Sequence, residues 1–224
     1  MLIRSLPLIA GVVPFIAINV AYWIGATWGP LPTCITYIDG CTSISATGRN
    51  PPGSFLFKAV EMPLSVLLVL VWYYAVAWLR QLRPALADRR ALWILGWGIV
   101  GATALIVYVT FLGTKEPVYE FMRRVGIYFY FLGTAVAQIF ISLQARRAAA
   151  TRPDIERITA VMLWLCLAPF VLGILNLVLK QILADPDPME NSIEWVAASL
   201  MQAWFVALYL AWKKTSFEAV VRVN

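Results

Sequence analysis

Residues 55–79 read FLFKAVEMPLSVLLVLVWYYAVAWL, an apolar run in which Lys58 and Glu61, both near its start, are the only charges. A helix needs about 20 apolar residues to cross the hydrocarbon core of a bilayer, and this run is long enough. It lacks the alternation of a barrel strand. Backbone polar groups in lipid must be satisfied internally, so the run is a helix. Five more stretches of the same kind lie near 6–28, 91–112, 125–143, 158–179 and 193–212. The fold class is therefore all-α: a polytopic membrane protein, a six-transmembrane-helix bundle forming a single domain over 1–224.

Composition agrees. The chain is 61% hydrophobic and 13% charged, with a mean hydropathy of +0.76, outside the range of water-soluble domains. The formal net charge is +6, but the basic residues are scattered among short connections and form no patch that would grip nucleic acid.

Their placement orients the chain. One set of segments holds Arg4, Arg80, Arg83, Arg89, Arg90, Arg146, Arg147, Arg152, Arg157, Lys213, Lys214 and Arg222, twelve basic against four acidic residues, a net +8. The other set holds six basic and eight acidic residues, a net −2. Positive loops are retained in the cytoplasm, so both termini are expected there. The first run, with Arg4 before it, exceeds the ~7–15-residue core of a signal peptide and reads as a retained helix.

One connection is long. Residues 29–54 contain Pro30, Pro32, Gly40, Gly48, Pro51, Pro52 and Gly53, a density of turn formers expected to exclude a regular helix. The other loops are expected to be roughly ten residues long, making consecutive helices antiparallel neighbours. No internal repeat and no soluble domain is evident. Cys34 and Cys41 both lie in the long loop, on the oxidising side, and are read as a disulfide, with two free thiols as the alternative. Cys166 reads as a small apolar packer in the fifth helix.

Chemical motifs are scarce. With no histidine, the commonest general base and the commonest transition-metal ligand are missing, and no metal or cofactor is expected. The sequence has no Walker phosphate loop, dinucleotide fingerprint or nucleophile elbow. Lys58 and Glu61, spaced i, i+3, are expected to pair or to stay near the headgroups. They are either an element of a lipid or substrate pocket or a snorkelling pair. Glu116, Glu120, Arg123 and Arg124 form a second cluster, read either as a seat for a lipid phosphate or as a solvated helix end. Glu194, at the expected start of the sixth helix, suits the helix dipole.

Within the spans, Asn19, Gln138, Asn176 and Gln202 read as interhelical hydrogen-bonding groups, and Pro14, Pro63 and Pro169 as kinks. Trp28, Trp78, Tyr108 and Trp212 lie near span ends, as in an interfacial aromatic belt.

The loop run from Ile44 to Phe57, ISATGRNPPGSFLF, holds Ser45, Thr47, Gly48, Pro51, Pro52 and Phe57. Physically, Gly48 is expected to take a positive φ, Pro51 and Pro52 to impose an extended approach, and Phe55 and Phe57 to begin the span. The segment then either lids a cavity beneath it or is merely a rigid loop. This run resembles the I-S-x-T-G-x-x-P-P-x-x-x-x-F signature of the Frag/DRAM/Sfk family, the damage-regulated autophagy modulators and their relatives. Gln202-Ala203-Trp204 and the tail from Phe217 to Arg222 also resemble that family's last helix and end. The likeness is tight over about 15 residues and loose elsewhere. It implies a role in membrane lipid biology, since the family includes autophagy regulators, factors in GPI-anchor lipid remodelling and proteins affecting lipid organisation. Where members often carry a histidine, this chain reads Glu120-Phe121-Met122-Arg123-Arg124.

The preferred expectation is a non-enzymatic protein that binds or organises membrane lipid, or docks a protein partner, through the loop and adjoining helix ends. The alternative is a lipid-modifying acyl or headgroup transferase using Asp39, Glu61 or Glu120 with Ser43 or Ser45. A small-solute transporter is a weaker third. The charge asymmetry makes a direct prediction: green fluorescent protein fused to the C terminus fluoresces, whereas an alkaline phosphatase fusion there is inactive. The reverse pattern contradicts the orientation.

Overall fold

The computed structural model describes residues 2–218. Residues 219–222, part of the tail compared above, and Arg222 of the charge tally lie outside the described residues. Six long helices are each long and apolar enough to cross a membrane. They are α1 (Leu2–Trp28), α4 (Gly53–Leu82), α5 (Asp88–Phe111), α6 (Pro117–Ala148), α7 (Glu156–Ile182) and α8 (Asp187–Lys214), with a 3₁₀ turn (Pro153–Ile155) before α7. The chain is an integral, multi-pass bundle, with no strand among the described residues.

The helices follow one another around a closed ring, α1 packing on α4, each later helix on the next, and α8 returning to α1. The connections at 83–87, 112–116 and 183–186 are shorter than the roughly ten residues expected. The helices extend past their apolar cores by polar turns: α6 begins at Pro117, a residue suited to a first helical position, and α8 at Asp187. α5 and α6 make the closest pairing. A Cβ at Gly126 would stand 2.6 Å from the backbone N of Tyr108, and one at Gly133 would stand 2.6 Å from that of Gly101. Glycine at these sites lets the two backbones touch, as small residues do in membrane helix pairs.

Large aromatics fill the centre. Trp72, Trp78, Trp204 and Trp212 are fully buried, and Trp204 donates its indole N–H to Ser142 Oγ at 2.8 Å. Gln138 Nε2 donates to the Met201 carbonyl at 3.0 Å, so this residue does bridge α6 and α8. The aromatic-belt expectation holds for Trp28, 64% exposed, but not for Trp78, Tyr108 or Trp212, at 0%, 3% and 0%. Their helices are apolar on every side, so nearness to a span end did not reveal which face they occupy. Cys166 is buried, as expected.

The long loop is not irregular throughout. It contains α2 (Thr36–Asp39) and α3 (Ile44–Arg49), correcting the expectation that turn formers exclude helix. Ser43 caps α3 by accepting the Ala46 N–H at 3.1 Å, and Asn50 Nδ2 closes it on the Ala46 carbonyl at 3.1 Å. Gly40, with φ 57°, ends α2. Cys34 and Cys41 are joined in a disulfide with Cα atoms 6.3 Å apart.

The α5–α6 contact gives a paired prediction. Gly133→Val lowers the stability of the detergent-solubilised protein by at least about 1–3 kcal/mol, the usual cost of overpacking. Gly96→Ala, where a Cβ meets nothing within 4 Å, raises it by about 0.5–1 kcal/mol. Thermal unfolding followed by tryptophan fluorescence distinguishes the two.

Candidate functional site

The sequence of the loop seats it on the bundle. Trp195 of α8 donates its indole N–H to the Thr42 carbonyl at 2.9 Å, Asn191 Nδ2 donates to the Gly40 carbonyl at 2.8 Å, and Ser192 Oγ donates to the Ile38 carbonyl at 3.2 Å. From α1, the Tyr22 hydroxyl accepts the Cys34 N–H at 2.9 Å, and Asn19 Nδ2 donates to Tyr37 Oη at 3.0 Å. α3 thereby lies against α1, α4 and α8. Gly48 is buried inside α3 and does not have a positive φ, contrary to expectation. Its need is space: a Cβ would come within 2.5 Å of Leu112 and 2.8 Å of Phe57. Thr47 is fully buried beside it. Pro51 and Pro52, joined by a cis bond, form a turn with Pro52 in the helical region, in place of the extended approach expected. Phe57 points into the core and Phe55 outward.

Beneath this roof three spaces meet. An inner chamber of about 40 Å³ is lined by Ile44, Phe57, Glu61, Tyr108, Tyr130 and Glu194, among others. A cavity of about 380 Å³ at the loop end is lined by Ser45, Arg123, Arg124, Asn176, Glu190 and Glu194. A lateral cleft of about 410 Å³ runs between α6 and α7, with Tyr128, Leu132, Pro169, Phe170 and Gly173 on its walls. Phe131 and Glu194 line all three. Two other grooves are mostly apolar: one along α1 and α8 at Gly11, where Ser199 Oγ donates to Tyr37 Oη at 3.4 Å, and one along α5 at Trp93 with Arg89 at its edge.

The cleft has a sequence cause. The buried residues of α7, Thr159, Met162, Leu165 and Cys166, all precede Pro169. Beyond it Phe170, Val171, Ile174, Leu175, Leu177 and Val178 are exposed, so the second half of α7 leaves a gap beside α6 while Lys180 ties it to Glu190 of α8 at 2.7 Å.

Lys58 and Glu61 do not pair. Lys58 Nζ donates to the Leu112 carbonyl at 2.8 Å, capping the end of α5, and no ion pair within 4.0 Å links the two among the described residues. Glu61 is 4% exposed, and its Oε1 is buried without a hydrogen-bond partner. Arg123 and Arg124 both contact Glu120 Oε1, at 3.4 and 2.7 Å. Their environments differ: the Arg124 side chain is 64% exposed, whereas that of Arg123 is 14% exposed with its Nε buried and unpartnered. Within the cluster it is Arg123 that turns inward, so a solvated helix end describes only part of it.

Glu194 departs from the helix-dipole expectation. It lies two turns inside α8, behind Asp187 and Glu190 of the first turn, too far for the helix dipole to account for it. Its carboxylate faces the backbone N–H groups of Ile44 and Ser45 at the start of α3. Asn176, taken for interhelical glue, has a buried, unpartnered Oδ1 on the wall of the cavity. Tyr108 and Tyr130 were missed because an aromatic in an apolar helix carries no signal of its own. No group of three or more metal-ligating side chains occurs among the described residues. No family model, curated protein or solved structure matches the chain.

An orphaned buried carboxylate predicts its own mutational signature. In lipid-free detergent, Glu61→Leu raises stability by about 1–3 kcal/mol, because a buried polar group without a partner is removed. Lys58→Met lowers it by about 1.5–3 kcal/mol through loss of a charged hydrogen bond. Thermal unfolding of both variants is the check, and destabilisation by Glu61→Leu contradicts the reading.

Proposed function

We propose that this protein is a non-enzymatic membrane protein that binds a phospholipid at the junction of cavity and cleft, at the end of the bundle facing away from the cytoplasm. The observation that carries the reading is Arg123. An arginine side chain 14% exposed, with its Nε–H buried and unpartnered, lines a cavity that opens sideways through an apolar cleft. A bidentate, charge-assisted contact with a phosphate satisfies such a group, and acyl chains fit the slot between Tyr128 and Leu132 of α6 and Phe170 and Gly173 of α7. Arg124, already held by Glu120, borders the same cavity as a supporting charge.

The likeness of Ile44–Phe57 to the Frag/DRAM/Sfk signature points to the same area of biology, and α3, the core of that run, roofs the site. The lipid-modifying alternative draws less support. The Ser43 and Ser45 hydroxyls bond each other at 3.1 Å, Ser43 caps α3, Asp39 accepts the Ile35 N–H at 2.8 Å, and Glu120 is engaged by two arginines. A general base must reach the proton it removes, and these groups are otherwise committed; Glu61 is free, but neither Ser43 nor Ser45 lines its chamber.

Native mass spectrometry of gently solubilised protein tests the reading. Wild type retains phospholipid, Arg123→Gln loses about tenfold or more of that retention, and Arg124→Gln loses less. Identical nonspecific lipid mixtures in all three proteins sink the proposal.

A further inference from the structure

Glu61 poses a problem that phosphate binding at Arg123 does not solve. Glu61 lines a chamber of about 40 Å³, and its buried Oε1 has no hydrogen-bond partner. A second carboxylate, Glu194, lines the same chamber, and no lysine or arginine does. The nearest candidate in sequence, Lys58, is spent on the Leu112 carbonyl. Glu194 has the Ile44 and Ser45 N–H groups before it, but Glu61 Oε1 has no donor, and a buried carboxylate oxygen inside a membrane calls for a positive group or a hydrogen-bond donor. The chamber has room for at least one water-sized group.

Glu194 leads outward from the chamber. It also lines the cavity of Arg123, yet no ion pair within 4.0 Å joins the two residues among the described residues. Opposite charges thus stand on α6 and α8 across one space without closing on each other. The geometry points to a zwitterionic ligand, an aminophospholipid whose primary ammonium sits between Glu61 and Glu194 while its phosphate meets Arg123 and its chains leave by the α6–α7 cleft. This rests on the lipid-binding reading above and assigns the headgroup.

The chemistry selects among headgroups. A primary ammonium has three N–H donors, enough for both carboxylates. Choline's trimethylated nitrogen has no N–H and cannot donate a hydrogen bond to either carboxylate. A glycerol headgroup brings no positive charge, and a serine headgroup brings an extra carboxylate toward two acids.

The experiment is lipid competition on delipidated full-length protein in detergent, read by native mass spectrometry. Equimolar phosphatidylethanolamine, phosphatidylcholine, phosphatidylglycerol and phosphatidylserine are offered to wild type, Glu61→Gln and Glu194→Gln. Wild type is expected to prefer phosphatidylethanolamine over each other lipid by about tenfold. Each glutamine variant is expected to lose that preference while still retaining phosphatidylglycerol. Wild type that holds phospholipid without regard to headgroup, or variants that keep the preference, overturn this inference alone. Wild type that holds no phospholipid overturns the lipid-binding reading with it. Soluble phosphoethanolamine is the remaining arm: binding as tight as that of the lipid assigns the site to a free headgroup and overturns the lipid source. Should Glu61→Gln not accumulate, Glu194→Gln and the wild-type competition decide.

Discussion

The hydrogen bond from the Trp195 indole to the Thr42 carbonyl holds together what matters at the loop end. Trp195 is buried, and Tyr22 and Tyr37 pack edge-on against it with ring centroids at 5.8 and 5.4 Å. One side chain of α8 therefore fixes both the loop and α1. Around it the Cys34–Cys41 bond and the contacts of Asn191 and Ser192 leave the loop little freedom, so α3 becomes a fixed roof. Its backbone N–H groups at Ile44 and Ser45 then face Glu194, and its Ile44 side chain closes the chamber over Glu61. Remove the anchor and neither carboxylate has a defined setting.

A second constraint shapes the cleft. The lower part of the α6–α8 seam is stitched by Gln138, Ser142 and Trp204, and α7 buries its first half against it. Past Pro169 no whole residue of α7 is buried, although Asn176 keeps a buried Oδ1 against the cavity. In water such an apolar helix face would collapse inward, but in a bilayer lipid chains are as good a partner as leucine. The slot is therefore stable in the membrane, and it ends beside the inward-turned Arg123.

The number of spans was plain in the sequence because runs such as 55–79 have no reading other than a membrane helix. Their ends were less legible. Residues 117–124 and 187–192 look like polar loop and are helix, since a helix continues beyond hydrocarbon wherever its caps and first-turn residues permit. Rotation about each axis was not legible at all, which is why Trp78, Tyr108 and Trp212 were placed at the surface and Glu194 was assigned to a dipole. Of the candidate site, Glu61 and Arg123 stood out as charges inside or beside apolar runs. That Lys58 caps α5 instead of pairing with Glu61 depends on where Leu112 ends its helix, a tertiary fact. The helix at α3 was not legible: Ser43 is of the residue type that caps helices, but the glycines and prolines around it give the stretch the composition of a turn.

The most direct test of the account is an electron cryo-microscopy map of the protein in nanodiscs containing mixed natural phospholipids. The account predicts ordered lipid density with its headgroup at Arg123 and a chain lying between Leu132 of α6 and Gly173 of α7. A map in which α7 closes against α6, or in which the cleft is empty while lipid is ordered elsewhere on the bundle, would contradict it.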